Sequence, residues 1–270
     1  MSSSEAKQPI CLTIAGLDPS GGAGIVADIK TFSRFGCFAA AALTSVTFQN
    51  TQAVFGSVHQ SAESVRRQVE AVLDDYDVAA IKTGMLPTRE IIETVAELIR
   101  ERQLKNIVVD PVVRSTSGFD LIDDAALTAL IERLFPLADI VTPNLPEAER
   151  IAKMTITNGD QIAKAAAVMR SYGARNVLIK GGHFDEKAKR YGERVATDFL
   201  FVGEILTTFE AEFIETTATH GTGCALAAAV AANLATGKDI RRCVKLAKDF
   251  VTEAIRTAPH IGRGHSPINI

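Results

Sequence analysis

ICLTIAGLDPSGGAGIVADIKTF, from Ile10 to Phe32, is the stretch that decides the fold. A β-favouring run (Ile10 to Ala15) breaks into the glycine-rich loop GLDPSGGAG (Gly16 to Gly24). A helical pattern follows, with apolar positions at Ile25, Ile29, Phe32 and Phe35. Strand, loop and helix in that order open a parallel unit, because a right-handed crossover returns the chain over the sheet. The alternation continues, with strands expected at Ala40 to Phe48, Val78 to Lys82, Asn106 to Asp110, Asp139 to Thr142 and Asn176 to Lys180. One apolar stripe runs through Ile91, Ile92, Val95, Leu98 and Ile99, and another through Ile240, Val244, Ala247, Val251 and Ala254. The expected fold is α/β: a doubly wound, mostly parallel sheet with helices on both faces. It forms a single domain over residues 1–270, with residues 1–9 as a flexible tail. Thr197 to Val202 and Ile205 to Phe209 read as an antiparallel hairpin at the sheet edge. The charged HFDEKAKRYGERV (His183 to Val195) reads as an exposed loop.

Composition narrows the function classes. A chain of 270 residues, 47% hydrophobic, can bury a full-sized core. Its longest apolar run, Ala225 to Ala232, is too short to span a bilayer, and no basic segment precedes an apolar stretch, so a soluble cytoplasmic protein without a membrane partner is expected. Net charge is −3, Trp is absent, and the basic residues are dispersed, which argues against nucleic acid. Cys11, Cys37, Cys224 and Cys243 show no C-x-x-C spacing and fit reduced thiols. Cys11, Cys37 and Cys243 read as core packing, whereas Cys224 has unusual neighbours.

In open parallel sheets ligands bind beyond the C-terminal ends of the strands. Those positions carry GLDPSGGAG, then QNT (Gln49 to Thr51), TGM (Thr83 to Met85), Asp110 with Pro111, PNLPE (Pro143 to Glu147) and KGGH (Lys180 to His183). Gly22, Gly24 and Ala27 match G-x-G-x-x-A, but no acidic residue ends the second strand, so a dinucleotide site is not expected. Asn144 and Glu147 have capping-box spacing, which leaves structural and functional readings equally open. Asp110 could start a turn, and Lys180 could be a surface lysine whose following glycines let an anion approach. Asp28 falls inside the apolar stripe of its helix. A carboxylate there needs a partner, and near a glycine loop that partner can be a ligand.

The strongest feature is THGTGC (Thr219 to Cys224), followed by an alanine-rich helical run. Glycines let backbone N–H groups converge, and a buried helix turns its positive end toward them, so a phosphate is the natural guest. No G-x-x-x-x-G-K-[ST] pattern occurs. A phosphate nest, a Lys-Gly-Gly strand end and carboxylates across the sheet suit phosphoryl transfer by positioning and charge.

Together TIAGLDPSGGAGIVADIKTF, QNT, KTGML, VVDPV, VTPNLPEAE, KGGH and THGTGC, in order from about Leu12 to the last helix, resemble the hydroxymethylpyrimidine and phosphomethylpyrimidine kinases of the ribokinase-like superfamily. The resemblance implies ATP- and magnesium-dependent phosphorylation in thiamin biosynthesis. The implied acceptors would be 4-amino-5-hydroxymethyl-2-methylpyrimidine and then its monophosphate. By position, Gly16, Asp28, Gln49 and Met85 would bind the pyrimidine. Cys224, Lys180, Gly221 and Gly223 would serve catalysis. Asn144, Lys180, Thr222 and Gly223 would hold ATP, and Glu147 and Asp110 would lie on the metal side. The side chains suit these roles: the Gln49 amide can both donate to and accept from an aminopyrimidine edge, and Met85 offers an adaptable apolar contact. A homodimer is also implied.

Leu17 stands where a small hydroxyl residue is common and Thr47 where an aliphatic is common. Arg114 to Thr116, Glu215 and Ala218 depart from the usual pattern as well. The nearest rival is a pyridoxal kinase, whose relatives carry a second cysteine in the loop after DPV; PVVRSTSGFD (Pro111 to Asp120) has none. A silent pyrimidine-binding sensor is a rival of another class. A cysteine hydrolase would need a histidine base, and His220 is expected to precede the nest rather than face a pocket.

Overall fold

The computed structural model describes residues 8–114, 118, 120–182, 189–190 and 193–270. The first half runs β1 (Ile10–Leu17), α1 (Gly24–Arg34), β2 (Phe38–Gln49), β3 (Val54–His59), α2 (Ala62–Leu73), β4 (Val78–Thr83), α3 (Arg89–Glu101) and β5 (Ile107–Val109). Next come α4 (Asp124–Ala129), β6 (Ile140–Val141), α5 (Leu145–Ala152), α6 (Gly159–Ser171) and β7 (Asn176–Gly181). The chain closes with β8 (Lys189–Arg190), β9 (Glu193–Val202), β10 (Ile205–Glu212), α7 (Thr222–Ala235) and α8 (Ile240–Arg256).

The strands form one sheet in the order β10-β9-β7-β6-β5-β4-β1-β2-β3, with β8 paired onto β9. From β2 through β1, β4, β5 and β6 to β7 every pairing is parallel. Both flanks are antiparallel, β3 on β2 and the β9/β10 hairpin on β7.

Successive strand residues point to opposite faces, and both faces are covered. Leu12, Ile14, Ile81, Val109, Val141 and Ile179 pack into one layer with apolar residues of α2 to α6. Their neighbours Cys11, Ala80, Val108, Ile140 and Leu178 pack into the other with α1, α7 and α8. This is the reason the central strands read as continuous apolar runs rather than alternating ones. Burial of Ala225 through Asn233 makes α7 a central helix and accounts for a sequence that is alanine-rich and apolar on every side.

Several expectations are corrected. β3 was not expected: both its faces are largely solvated and Gly56 interrupts it, so VFGSVH carries no hydrophobic period. The segment His183 to Val195, read as a loop, contains β8 and the start of β9, while residues 183–188 and 191–192 lie outside the described residues. Gln8 and Pro9, assigned to a tail, are engaged: the Gln8 amide donates to the Gly36 carbonyl at 3.1 Å and Phe38 N–H donates to the Pro9 carbonyl at 2.8 Å. Ile29 and Phe35 do not join the fully buried face of α1, which consists of Ile25, Ala27, Asp28, Thr31 and Phe32. Among the described residues no helix is long and apolar enough to cross a membrane, and all four cysteines are free thiols.

Candidate active site

Most helices here are capped by side chains: Ser61, Thr88, Asp123, Asn158 and Asp239 each accept a first-turn N–H. By contrast α1 and α7 begin at the two glycine loops with no side-chain cap, leaving their positive ends available to an anion. The loops pack on each other. Gly221, the N-cap of α7, has φ 89°, and a Cβ there would collide with the Gly22 carbonyl oxygen. Only glycine serves both requirements. Asp18 ties the two loops together. Its Oδ1 accepts Ser20 N–H at 2.8 Å, and its Oδ2 accepts Ala23 N–H at 2.9 Å and His220 Nε2 at 2.7 Å. Burial works to raise the Asp18 carboxyl, but the His220 and Ser20 bonds outweigh it and hold the group below its ordinary value. His220 therefore lies on the cavity wall, contrary to the expectation that it only precedes the nest.

A cavity of about 580 Å³ opens over these helix ends. Gly16, Gln49 and Met85 line it, with the Met85 sulfur only 3.2 Å from where a Gly16 Cβ would stand. Lys180, Gly221, Thr222, Gly223 and Cys224 line it as well, together with Asp110, Asn144 and Glu147. The Lys180 ammonium would stand 3.1 Å from a Cβ on Gly223, so the strand-end lysine reaches the nest. Of the site residues assigned from sequence, Asp28 alone is absent from this lining.

Asp28 has two protein partners on one carboxylate oxygen, while its Oδ1 is buried without a hydrogen-bond partner among the described residues. It is fully buried, and its Oδ2 accepts the Thr13 hydroxyl at 2.6 Å and the Lys82 ammonium at 2.8 Å. Burial pushes the Asp28 carboxyl up while Lys82 pulls it down. For Lys82 burial disfavours the charge, yet Asp28, Cys224 and Asp110 raise it above its ordinary value. On balance the Asp28 carboxyl stands above its ordinary value, with the Thr13 hydroxyl and the Lys82 ammonium both donating to the same oxygen. Lys82 belongs to the cavity lining and places a fixed positive charge beside Cys224.

Burial pushes the Cys224 thiol up to about 11, against the Lys82 charge and a hydrogen bond from the Gly24 backbone; Asp28 and Asp110 push the same way as burial. At neutral pH the resting group is a thiol. Across the cavity Lys180 Nζ lies 3.0 Å from Asp110 Oδ1, which also accepts the Thr142 hydroxyl at 3.0 Å. The Lys180 ammonium is disfavoured by burial but stabilised more strongly by Asp110 and Glu147. Asn144 and Glu147 form the capping box that their spacing indicates, with bonds of 2.8 and 2.9 Å. Burial pushes the Glu147 carboxyl up to about 7, opposed by Lys180.

Among the described residues no three His, Cys, Asp or Glu side chains cluster as a self-sufficient metal site. Magnesium fits nonetheless, because it is commonly held by one or two carboxylates, waters and substrate phosphates, and Asp110 and Glu147 are among the carboxylates that line the cavity.

The Thr47 hydroxyl, where an aliphatic is common, donates to the Leu17 backbone carbonyl at 2.9 Å; nothing in the structure explains the leucine side chain there. Ser115, Thr116 and His183 lie outside the described residues. Sequence reasoning assigned no role to Lys82, although a lysine ending the apolar VAAI run of a doubly covered strand signals a buried charge. It also missed the buried pair Lys248–Asp198, at 2.8 Å, on the cavity wall. Those partners lie 50 residues apart, and no local pattern connects them.

The sequence profile of the phosphomethylpyrimidine kinase family matches residues 18–269. The hydroxymethylpyrimidine/phosphomethylpyrimidine kinase of Haemophilus influenzae is 41% identical over 259 residues, 96% of this chain and 95% of that protein. Among solved structures, the phosphomethylpyrimidine kinase of Clostridium difficile superposes with a TM-score of 0.79 at 38% identity, covering 92% of this chain and 100% of that one. The pyridoxal kinase of Staphylococcus aureus in complex with AMP-PCP and pyridoxal gives 0.87 at 31% identity, covering 97% and 93%. The fold is ribokinase-like, and with a profile match across nearly the whole chain and a relative of this identity, the protein belongs to the phosphomethylpyrimidine kinase family.

Proposed function

We propose that the protein transfers phosphate from ATP to the hydroxymethyl group of 4-amino-5-hydroxymethyl-2-methylpyrimidine, and then phosphorylates the monophosphate to the diphosphate, in thiamin biosynthesis. The observation that carries this reading is the meeting, in one cavity, of an amide wall (Gln49 with Gly16 and Met85), a thiol at an uncapped helix start (Cys224) and a lysine on the same nest (Lys180). Gln49 pairs with the aminopyrimidine edge and Met85 packs on the ring. Gly221 and Gly223 offer backbone N–H groups to the transferring phosphoryl group, Lys180 adds positive charge, and Thr222 and Asn144 contribute on the ATP side. Magnesium, held by Glu147 and Asp110 with waters, would neutralise phosphate charge. Asp28 supports the acceptor pocket through Lys82. Cys224 takes the acceptor proton without bonding covalently to substrate. As the thiol is protonated at rest, this role draws on the thiolate minority that Lys82 makes less scarce.

A pyridoxal kinase is the second reading, favoured by the Staphylococcus aureus likeness. The absence of cysteine from Pro111 to Asp120 weighs against it. We further read the protein as a cytoplasmic homodimer that does not bind nucleic acid, the dimer supported by exposed Phe48, Phe55 and Val58 on the β2/β3 edge. A coupled ADP-release assay with the pyrimidine alcohol, its monophosphate, pyridoxal and no acceptor tests the reading. Both pyrimidines should outperform pyridoxal in kcat/KM. A preference for pyridoxal would reverse the assignment, and no acceptor-dependent turnover would favour a sensor.

A further inference from the structure

Thr51 closes the QNT motif, yet it does not line the cavity. Its hydroxyl oxygen accepts N–H groups from Arg263 at 3.1 Å and Gly264 at 3.2 Å, and its carbonyl accepts His265 N–H at 2.7 Å. The first two of these partners lie 212 and 213 residues further along the chain. The fit is tight: a Cβ on Gly264 would collide with the Thr51 carbonyl, and one on Gly262 with its hydroxyl. A few residues on, the same segment reaches the nest. His220 N–H donates to the Ser266 carbonyl at 3.2 Å, and Ile268 N–H donates to the His220 carbonyl at 3.3 Å. Ser266, Pro267 and Ile268 are buried there.

The segment therefore bridges two walls of the site that the sheet does not pair directly. Gln49 lies at the end of β2, beyond the last β1 partner at Val46, and pairs only outward to Val54 of β3. Cys224 begins α7, which packs across β1, β4 and β5. Phosphoryl transfer requires the acceptor oxygen and the phosphorus to meet within about 3–3.5 Å and in line.

We propose that residues 261–268 form a strap that fixes the distance between the acceptor wall at Gln49 and the nest at Cys224, with Thr51 as the positioning residue through which it acts. The strap takes hold of the acceptor loop by the Thr51 hydroxyl and carbonyl and of the nest by the two backbone bonds to His220. Asp18 then carries the constraint from the His220 ring into the first glycine loop. The inference rests on the kinase reading given above.

The test compares Thr51→Val, which keeps shape but removes the oxygen that accepts two N–H groups, with Thr51→Ser, which retains it. In the ADP-release assay with the pyrimidine alcohol, Thr51→Val should raise acceptor KM and lower kcat, reducing kcat/KM by about a hundredfold, the scale of a misplacement of about 1 Å. The KM for ATP should stay within about twofold, and Thr51→Ser should restore most of the activity. Hydrogen exchange on the ligand-free protein should also quicken at the His220 and Ile268 amides in Thr51→Val. Thr51→Ala serves if the valine variant does not fold. Wild-type kcat/KM in the variant, equal increases in both KM values, failure of serine to rescue, or unchanged exchange at His220 and Ile268 would each overturn the strap. A wild-type protein inactive with every acceptor would instead overturn the kinase reading, and the exchange result would still decide the strap.

Discussion

The Lys82 ammonium lies 2.8 Å from the Asp28 carboxylate, and neither side chain is exposed to solvent. Ion pairs this deep lose hydration that their mutual attraction only partly restores, so breaking one is far costlier than replacing both partners by apolar groups. Lys82→Met should lower unfolding free energy by about 3–5 kcal/mol, because it leaves the Asp28 charge buried and unpaired. The double variant Lys82→Met with Asp28→Leu should recover most of that loss in urea unfolding. Equal instability of the single and double variants would mean that Asp28 is not ionised in the folded protein.

The thiol of Cys224, pushed up to about 11 by burial, makes proton acceptance depend on pH. If the thiolate is the base, kcat with the pyrimidine alcohol should rise between pH 7 and 9 by close to tenfold per unit, on the acidic side of a group that titrates near 11. Cys224→Ala should reduce kcat by roughly 10²–10⁴-fold while leaving ATP binding largely intact. Cys224→Asp, where the pocket admits the carboxylate, should flatten the profile. A flat wild-type profile, or a substrate adduct on the thiol by mass spectrometry, would remove Cys224 from this role.

Glu147→Gln separates capping from metal binding, because glutamine also serves the capping box. The Glu147 carboxyl is raised in the folded protein from its ordinary 4.5 to about 7, so its contribution to stability is full below 4.5 and lost as pH rises through 7. Removing the ionisation should raise the melting temperature of the ligand-free protein at pH 8 relative to wild type. The same variant should lose activity and need more magnesium. An unchanged magnesium titration would leave Glu147 as a cap alone.

Gln49→Leu should weaken acceptor recognition by about 1–3 kcal/mol, the cost of leaving a buried polar edge unpaired. The change should appear in acceptor KM and spare the KM for ATP. Similar rises in both would place the pyrimidine elsewhere in the cavity.

Local pattern determined much of this protein. The strand-loop-helix of Ile10 to Phe32, repeated along the chain, specified a doubly covered parallel sheet, because central strands buried on both faces must be apolar throughout. The hairpin of β9 and β10 was legible because two β-favouring runs lie on either side of a short turn at Gly203, while β3, a largely solvated edge strand interrupted by Gly56, has no apolar period to read. The capping box at Asn144 and Glu147 was visible because both of its bonds are local.

Tertiary structure alone decided which polar groups meet. Sequence marked Asp28 as a carboxylate in need of a partner, but that Lys82, 54 residues away, is one such partner became visible only once the strands were placed. The sense of the Cys224 shift was likewise undetermined: a helix start and Lys82 favour the thiolate, while burial, Asp28 and Asp110 oppose it, and their balance depends on distances. The contacts of Asp18 with His220 and of Thr51 with the C-terminal strap join residues more than 200 positions apart. Hydrogen bonding and desolvation act over a few ångströms of space, and separation along the chain leaves no trace of them in the order of the residues.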